Sequence, residues 1–473
     1  MKNKARILFI ILLLAGWLRS PAQQQPDSLY AYLDIASKNN PTVLQRYYEY
    51  QAALQKVPQV GSLPDPEFSL GVFLSPMELL GGNQVADMRL MQMFPWFGFI
   101  KSARDEMSLM AAAKFELVRD AKLQLFFDMQ RNWFEMHKVK QEIRIAEKNI
   151  EILQSLERLA ITRFKAAPAA SAVAASGSSI SSSASSGSTP ASSGMNSMGS
   201  STAAQSNQAA PAMPSPGMGS QPGSTGLTDV YRIQIEVNGL QDNIESLKTR
   251  WNSLSASFNA YLNRPAASPV TLPDTLMADG LPFSLLAVSD SIRNNPMLGM
   301  LKYEQQSLEA RKQMVTRMGY PMVGLGVNYS LISKSEMSAS SMNGKDMIMP
   351  MVTATLPIYR KKYRAMQAEA DLLKSANSQN YAATGNALQT EYYQALQLYQ
   401  DAGRRAKLNS EQQLLASKSL NIMMKSFAAS GSGLTDILRL RQQTLDYEYR
   451  KMEAIADSNI AIAWLKRLAA FTE

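Results

Sequence analysis

The chain carries one histidine and no cysteine in 473 residues, so the chemistry open to it is narrow. Disulfides and thiolate metal sites are excluded, and Ser-His or His-His catalysis is hard to build around a single imidazole. That imidazole, His137, lies in the helical run Phe134-Glu135-Met136-His137-Lys138 and reads as an interfacial or solvated side chain. The carboxylates Glu448 and Glu453 stand beside Arg450 and Lys451, as ordinary helix surface charge does. With no nucleophile–base pair, phosphate loop or metal triad, the chain reads as a non-enzyme that needs no cofactor. Two groups remain. Met195, Met198, Met213 and Met218 offer thioethers, which soft cations such as copper and silver take as ligands. Methionine is frequent throughout the chain, however, and four scattered residues do not define a site. The second group is a repeated tetrapeptide: Gly226-Leu227-Thr228-Asp229 recurs as Gly433-Leu434-Thr435-Asp436. Its threonine and aspartate side chains suit the capping of free backbone N–H groups at a helix start.

The elements that must position these tetrapeptides are themselves duplicated. Asn39-Asn40-Pro41 recurs as Asn294-Asn295-Pro296, and Pro66 recurs as Pro321, both 255 residues on. Pro95 matches Pro357 at 262, and Phe164 matches Phe427 at 263. The offset then drops to 207 between the two tetrapeptides, because the first half carries an insert, Pro168 to Thr225, with no charge and no aromatic ring. A segment of Ser, Ala, Gly and Pro buries too little to order itself. Enlarging a turn from about 6 to about 62 residues costs only about 2 kcal/mol, so the fold tolerates it. As a random coil it would span about 40 Å. It is either a neutral linker or a segment that reaches a partner.

Each half begins helical and then turns to strand. Phe68, Leu70, Val72 and Leu74 alternate with Ser69 and Gly71, joined on that face by Phe73. In the second half Val323, Leu325, Val327, Tyr329 and Leu331 oppose Gly324, Gly326, Asn328 and Ser330. Period two, apolar on one side and small or polar on the other, suits a strand between apolar and wet surroundings. Return strands are expected at about Ala86 to Phe94 and Met347 to Leu356. Runs of about 9 to 13 residues fit tilted transmembrane strands; the alternative is two soluble hairpins on a sandwich edge. Four strands cannot close a bilayer barrel, and open edges are not tolerated in lipid, so a membrane location requires several chains to share one barrel. Phe94, Pro95, Trp96 and Phe97, with Pro357 and Tyr359 in the equivalent place, put rings where strand hands over to helix. Arg360, Lys361, Lys362 and Arg364 follow directly. A membrane boundary favours this order; core aromatics are the plainer reading.

Long helices are expected from about Phe99 to Lys165 and from about Arg360 to Phe427, each roughly 100 Å long, each followed by a return helix of about 35 residues. In the first return helix Val230, Ile233, Val237, Leu240, Ile244, Leu247, Trp251, Leu254, Phe258 and Tyr261 form a heptad seam. Its equivalent, Thr435 to Phe471, is less regular, with Tyr447, Lys451 and Ser458 at seam positions. A helix with neighbours on two sides, or a moving one, would relax the pattern in this way.

The N-terminus has the form of an export signal: Lys2, Lys4 and Arg6, an apolar core from Ile7 to Leu18, and Ser20-Pro21-Ala22 as cleavage site. Maturation near Gln23 lowers the formal charge of +9 by four. The remaining +5 is mild, and no basic patch with interleaved aromatics stands out, so nucleic acid is not an expected partner.

In order and spacing, the chain resembles the TolC family of outer-membrane efflux ducts. The resemblance rests on Asn-Asn-Pro near each repeat start and on Leu63-Pro64-Asp65-Pro66 before the first strand. Met93-Phe94-Pro95-Trp96-Phe97-Gly98 and the two Gly-Leu-Thr-Asp helix starts complete it. The Phe-Pro-Trp-Phe-Gly run is also similar to the heavy-metal branch of that family. The resemblance implies a mainly α fold with a small β part: duplicated long-helix hairpins and four transmembrane strands per chain, making a twelve-stranded barrel in a homotrimer. It implies location in the outer membrane of a Gram-negative-type cell, in contact with lipid, with a long periplasmic tunnel. A periplasmic adaptor (membrane fusion) protein and an inner-membrane efflux transporter would complete a tripartite pump. The implied function is passive export of metal ions or small toxic compounds; the alternative is a structural periplasmic coiled coil without a channel. The turns at Gly226, Leu227, Thr228 and Asp229 and at Gly433, Leu434, Thr435 and Asp436 would form the entrance and the adaptor's docking place. There Asp436 and Asp229 either only cap their helices or also face the pore, and Arg439, one turn on, would pair with Asp436 or interrupt an acidic ring.

By this reading the chain divides into an export signal (1–22), an N-terminal helical segment (23–65) and a first β-hairpin (66–95). A first long helical hairpin (96–263), interrupted at 168–225, is followed by a linker and second helical segment (264–318). A second β-hairpin (319–357) and a second long helical hairpin (358–473) end the chain.

Overall fold

The computed structural model describes residues 29–79, 81–166, 225–278, 280–281, 285–337, 341–430 and 433–471. The export segment expected at 1–22 lies outside them, as does the insert expected at 168–225 apart from Thr225. The first half contains α1 (Leu29–Asn39), α2 (Pro41–Gly61), β1 (Glu67–Leu79), β2 (Gly82–Phe94), α3 (Phe99–Ala166) and α4 (Thr225–Tyr261). The second repeats it: α5 (Leu285–Ser291) with a 3-10 turn at Ile292–Asn294, α6 (Pro296–Met318), β3 (Met322–Ser333), β4 (Met347–Thr355), α7 (Arg360–Ser430) and α8 (Leu434–Leu468). With 68 and 71 residues, α3 and α7 each run about 100 Å.

The Asn-Asn-Pro motif has a double use that the sequence did not disclose. Proline opens α2 and α6, where its missing N–H costs nothing. Asn40 Oδ1 accepts from the N–H groups of Thr42 and Val43, and Asn295 Oδ1 accepts from that of Met297. The other end of each amide ties down a return helix: Asn40 Nδ2 donates to the Tyr261 carbonyl at 2.9 Å, and Asn295 Nδ2 to that of Leu468 at 3.2 Å. The repeat extends to the core: Leu33 and Val43 dock on α3 and α4 as Val288 and Leu298 dock on α7 and α8.

The seam of α4 is buried at Val230, Ile233, Val237, Ile244, Leu247 and Phe258. The irregular seam of α8 has the first of the causes considered: α8 packs on both α7 and α3. Small residues such as Ala454, Ser458 and Ala461 let helices approach on two sides, and all three are buried.

The four strands form one antiparallel sheet in the order β1-β2-β3-β4, so the two hairpins are joined through β2 and β3. Phe94 pairs with Val323, and Met322 with Thr355, which places the helix-side ends of β2, β3 and β4 on one rim. Directly paired residues share a face. One face carries Phe68, Leu70, Leu90, Val323, Leu325, Val327 and Val352, all exposed. The other carries Ser69, Gly71, Asp87, Arg89, Asn328 and Ser330. The strands hold the 9 to 13 residues expected, but β1 runs on to Leu79, through a register shift between Val72 and Met77. Among the described residues no helix is long and apolar enough to cross a membrane.

Candidate functional site

Two regions bring the expected site residues together, one at each end of the long helices. At the strand rim, Trp96 stacks on Tyr320, with ring centroids 5.4 Å apart and planes 18° from parallel, and meets Phe97 edge-on at 6.1 Å. Phe94, Trp96 and Phe97 line an open apolar cavity of about 510 Å³ together with Pro95, Pro321 and Leu325. Phe97 is 91% exposed and Tyr359 83%, so neither is a core aromatic in the single chain. Pro357 and Tyr359 lead into α7, whose opening residues are Arg360, Lys361 and Lys362. Cations in a first turn oppose the helix dipole, so folding of α7 does not explain them. Gly98, at φ 79°, lets the chain turn into α3, and Arg317 fills the space a side chain would need, donating from Nη1 to the Gly98 carbonyl at 2.5 Å. Tyr320 and Arg317 were not singled out from sequence, since both act across the repeat.

At the far end, the two tetrapeptides differ despite their identical sequences. Leu227 is 50% exposed whereas Leu434 is 3% exposed, packed in a cluster with Phe427, Ile437, Val230 and Ile233. The capping reading needs correction for α8. Its N-cap is Gly433, at φ 97°, without a side-chain cap hydrogen bond, which puts Thr435 and Asp436 inside the first turn. A glycine holds that position because the left-handed backbone disfavours other residues. The helix α4 likewise begins at Thr225, one residue before the Gly226 that opens its tetrapeptide. Arg232 joins the two turns: Nη1 donates to Thr435 Oγ1 at 2.9 Å and lies 4.0 Å from Asp229 Oδ1. One turn deeper, Gln442 Nε2 donates to Glu236 Oε1 at 2.7 Å. Burial pushes the Asp229 carboxyl above its usual range, against the pull of Arg232. Asp436 and Arg439 are both exposed, and no ion pair forms between them within the chain.

A third, polar region lies along α3 and α8. His137 is 2% exposed, not solvated, and packs edge-on against Trp133 at 5.7 Å. Burial, reinforced by Lys140, pushes its pKa down to about 4. Burial raises the Glu142 carboxyl, draws the Arg441 guanidinium down and pushes the Tyr449 phenol up to about 12. Of these groups only His137 drew attention in the sequence; the heptad seam read there lies in α4, and the withdrawal of Glu142, Arg441 and Tyr449 from water depends on how α3 and α8 pack. Among the described residues, no group of three or more His, Cys, Asp or Glu is placed to hold a metal ion.

No family model matches the chain, and no curated protein does. Solved structures do. A membrane protein from Pseudomonas aeruginosa superposes with a TM-score of 0.68 at 14% identity, over 93% of this chain and 92% of that one. CusC, described in terms of folding and transmembrane channel formation, gives 0.68 at 12% identity over 95% of each chain. The open state of the MtrE outer-membrane channel of Neisseria gonorrhoeae gives 0.67 at 13%, over 93% and 88%. The fold is that of solved outer-membrane channels. Coverage of nearly both whole chains means that the paired hairpins and the strands are shared together, not a single helical bundle.

Proposed function

We propose that this protein is the outer-membrane duct of a tripartite export pump, three copies closing a twelve-stranded barrel above a tunnel of long helices. One observation carries the reading. A four-stranded sheet with an exposed apolar face and two open edges, at β1 and β4, sits at one end of helices about 100 Å long. An exposed apolar face of this extent marks a membrane or partner contact, and open edges in lipid require further strands. The rings at Phe94, Trp96, Phe97 and Tyr359 and the cations after them then mark the periplasmic membrane boundary. Export is passive, the energy being spent by an inner-membrane transporter to which a periplasmic adaptor couples the duct. The turns around Gly226–Asp229 and Gly433–Asp436, with Arg439, form the entrance and the adaptor's docking place. The cargo is metal ions or small toxic compounds.

The test is insertion of the purified protein into planar bilayers, with cross-linking to count copies. Discrete conductance steps from a trimer are expected. A monodisperse coiled coil that leaves the bilayer sealed would overturn the duct and favour a structural envelope protein. A deletion strain screened against copper, silver, cobalt, zinc, detergents and dyes then separates metal cargo from amphiphiles.

A further inference from the structure

We propose that the polar face of the sheet carries a soft-metal site, in which the thioethers of Met91, Met93 and Met351 bind copper(I) or silver(I). The cargo role of this site rests on the duct reading, since that reading makes this face the lumen.

The strand register assembles the site. Met91 pairs with Gly326, and Gly326 pairs on its other side with Met351. Two pairs further along, and so on the same face, Met93 is opposite Gly324, and Gly324 is opposite Thr353. The middle strand therefore has no side chains at these two positions, and its neighbours lean into the gap. A Cβ placed on Gly324 would lie 2.6 Å from Met93 Sδ and 3.6 Å from Met91 Sδ, so both sulfurs converge on the space that glycine leaves. Strands two apart are separated by about 10 Å, a gap that two unbranched side chains with three rotatable bonds each can bridge. Met351 stands opposite Met91 across Gly326 in the register and on the same face, which makes it the third thioether that the proposed site would draw on.

The distribution of residue types argues against methionine as mere filling. Along β4 the sequence Met347-Ile348-Met349-Pro350-Met351-Val352 puts every methionine on the polar face and the branched aliphatics on the apolar one. On that polar face the neighbours are Asp87, Arg89, Asn328 and Ser330, where an aliphatic side chain has little to pack against. A thioether there gains a use that leucine lacks. Thioethers are neutral at every pH and soft, and so favour Cu(I) and Ag(I) over zinc or magnesium. Glu67, paired with Met91, brings a carboxylate into the same row, while Arg89, two pairs on, brings a positive charge that repels a bound cation. The balance suits a site that holds a cation briefly and releases it.

The experiment uses the full-length mature protein, purified in detergent and titrated with silver nitrate in chloride-free buffer, with bound Ag(I) counted by native mass spectrometry. The triple variant Met91→Leu, Met93→Leu, Met351→Leu conserves volume and is expected to weaken silver retention by about tenfold or more. Met88→Leu, on the apolar face, is expected to leave it unchanged. Silver held equally by the triple variant and the parent overturns the site, and so does a parent that holds none. If the triple variant does not assemble, silver-edge X-ray absorption on the parent decides: sulfur neighbours support the site, and an oxygen- or nitrogen-only shell overturns it. Conductance of the same preparations separates the two readings. A conducting protein that binds no silver loses only the metal site, and a silver-binding protein that never conducts loses only the duct.

Discussion

Val352 and Met349 lie on the same strand, on opposite faces, and both are open to solvent in the single chain, at 74% and 46% exposure. A lysine at either position would be tolerated by a soluble hairpin, within about 0.5 kcal/mol. A membrane barrel treats them differently. Val352 is next to the middle residue of β4 and pairs with Leu325 on the apolar face. Lysine facing lipid near the midplane costs about 2–4 kcal/mol, and three copies multiply it to about 6–12 kcal/mol per trimer. That is comparable to the whole stability of a typical domain, about 5–15 kcal/mol. Val352→Lys is therefore expected to abolish trimer in the outer-membrane fraction, as read by cross-linking and by sedimentation of membranes. Met349→Lys should assemble and shift ion preference toward anions, measured as a reversal potential across a salt gradient. Equal recovery of both trimers in the membrane would refute the assignment of the apolar face to lipid.

Four further outcomes are expected. Asn40→Ala and Asn295→Ala each remove a helix cap and a tie to a return helix, so each should cost about 2 kcal/mol in thermal unfolding; Asn39→Ala and Asn294→Ala serve as controls, and equal losses in all four would sink the cap account. His137 is neutral when folded, its pKa near 4 against 6.5 unfolded, so between these values the unfolded chain binds the extra proton and stability falls as pH drops. The loss is at most about 3 kcal/mol, and His137→Gln should flatten that part of the melting profile, whereas an unchanged profile would show the ring protonated in place. Asp436→Ala should raise conductance if the exposed carboxylate narrows the entrance, and an unchanged single-channel current would confine Asp436 to the helix start. Removal of residues 168–224 should leave trimer yield intact, and loss of assembly would make the insert structural.

Much of the fold was legible because the duplication repeats its own punctuation. Prolines at 41 and 296, at 66 and 321, and at 95 and 357 mark the same boundaries twice, and periodicity fills in the elements between them. The strand ends were less legible. Alternation breaks at Ser75-Pro76, yet β1 resumes beyond the irregularity and ends at Leu79, because pairing with β2 continues at Met77 with Gln84. The soft-metal groove was hidden for a related reason. Each strand's alternation could be read alone, but not that β2 and β4 flank the glycines of β3, since β2 and β3 come from different halves. The methionines that drew attention in the sequence, Met195 to Met218, lie outside the described residues, while those that converge are spaced by strand pleat and by register. Glu142, Arg441 and Tyr449 were missed because their partial burial depends on the packing of α3 against α8, which the periodicity of a single helix does not disclose.

The two Gly-Leu-Thr-Asp turns show where duplication stops predicting equivalence. A sequence repeat fixes local backbone chemistry, but burial depends on what each copy packs against. The helix α8 is held by α7 and by α3, so Leu434 enters a core with Phe427 and Leu438. The helix α4 packs mainly on α3 and touches α8 through Val230 and Ile233, one turn inside Leu227, which stays half exposed. The carboxylates follow suit: Asp229 is partly withdrawn beside Arg232, and Asp436 is open. The bridge between the turns is therefore directional, running from Arg232 on α4 to Thr435 on α8 rather than between like residues. Such a contact breaks the internal symmetry that the sequence advertises. It also leaves Asp436, with Arg439 a turn beyond it, as the tetrapeptide acid free to meet a neighbouring copy or a passing ion.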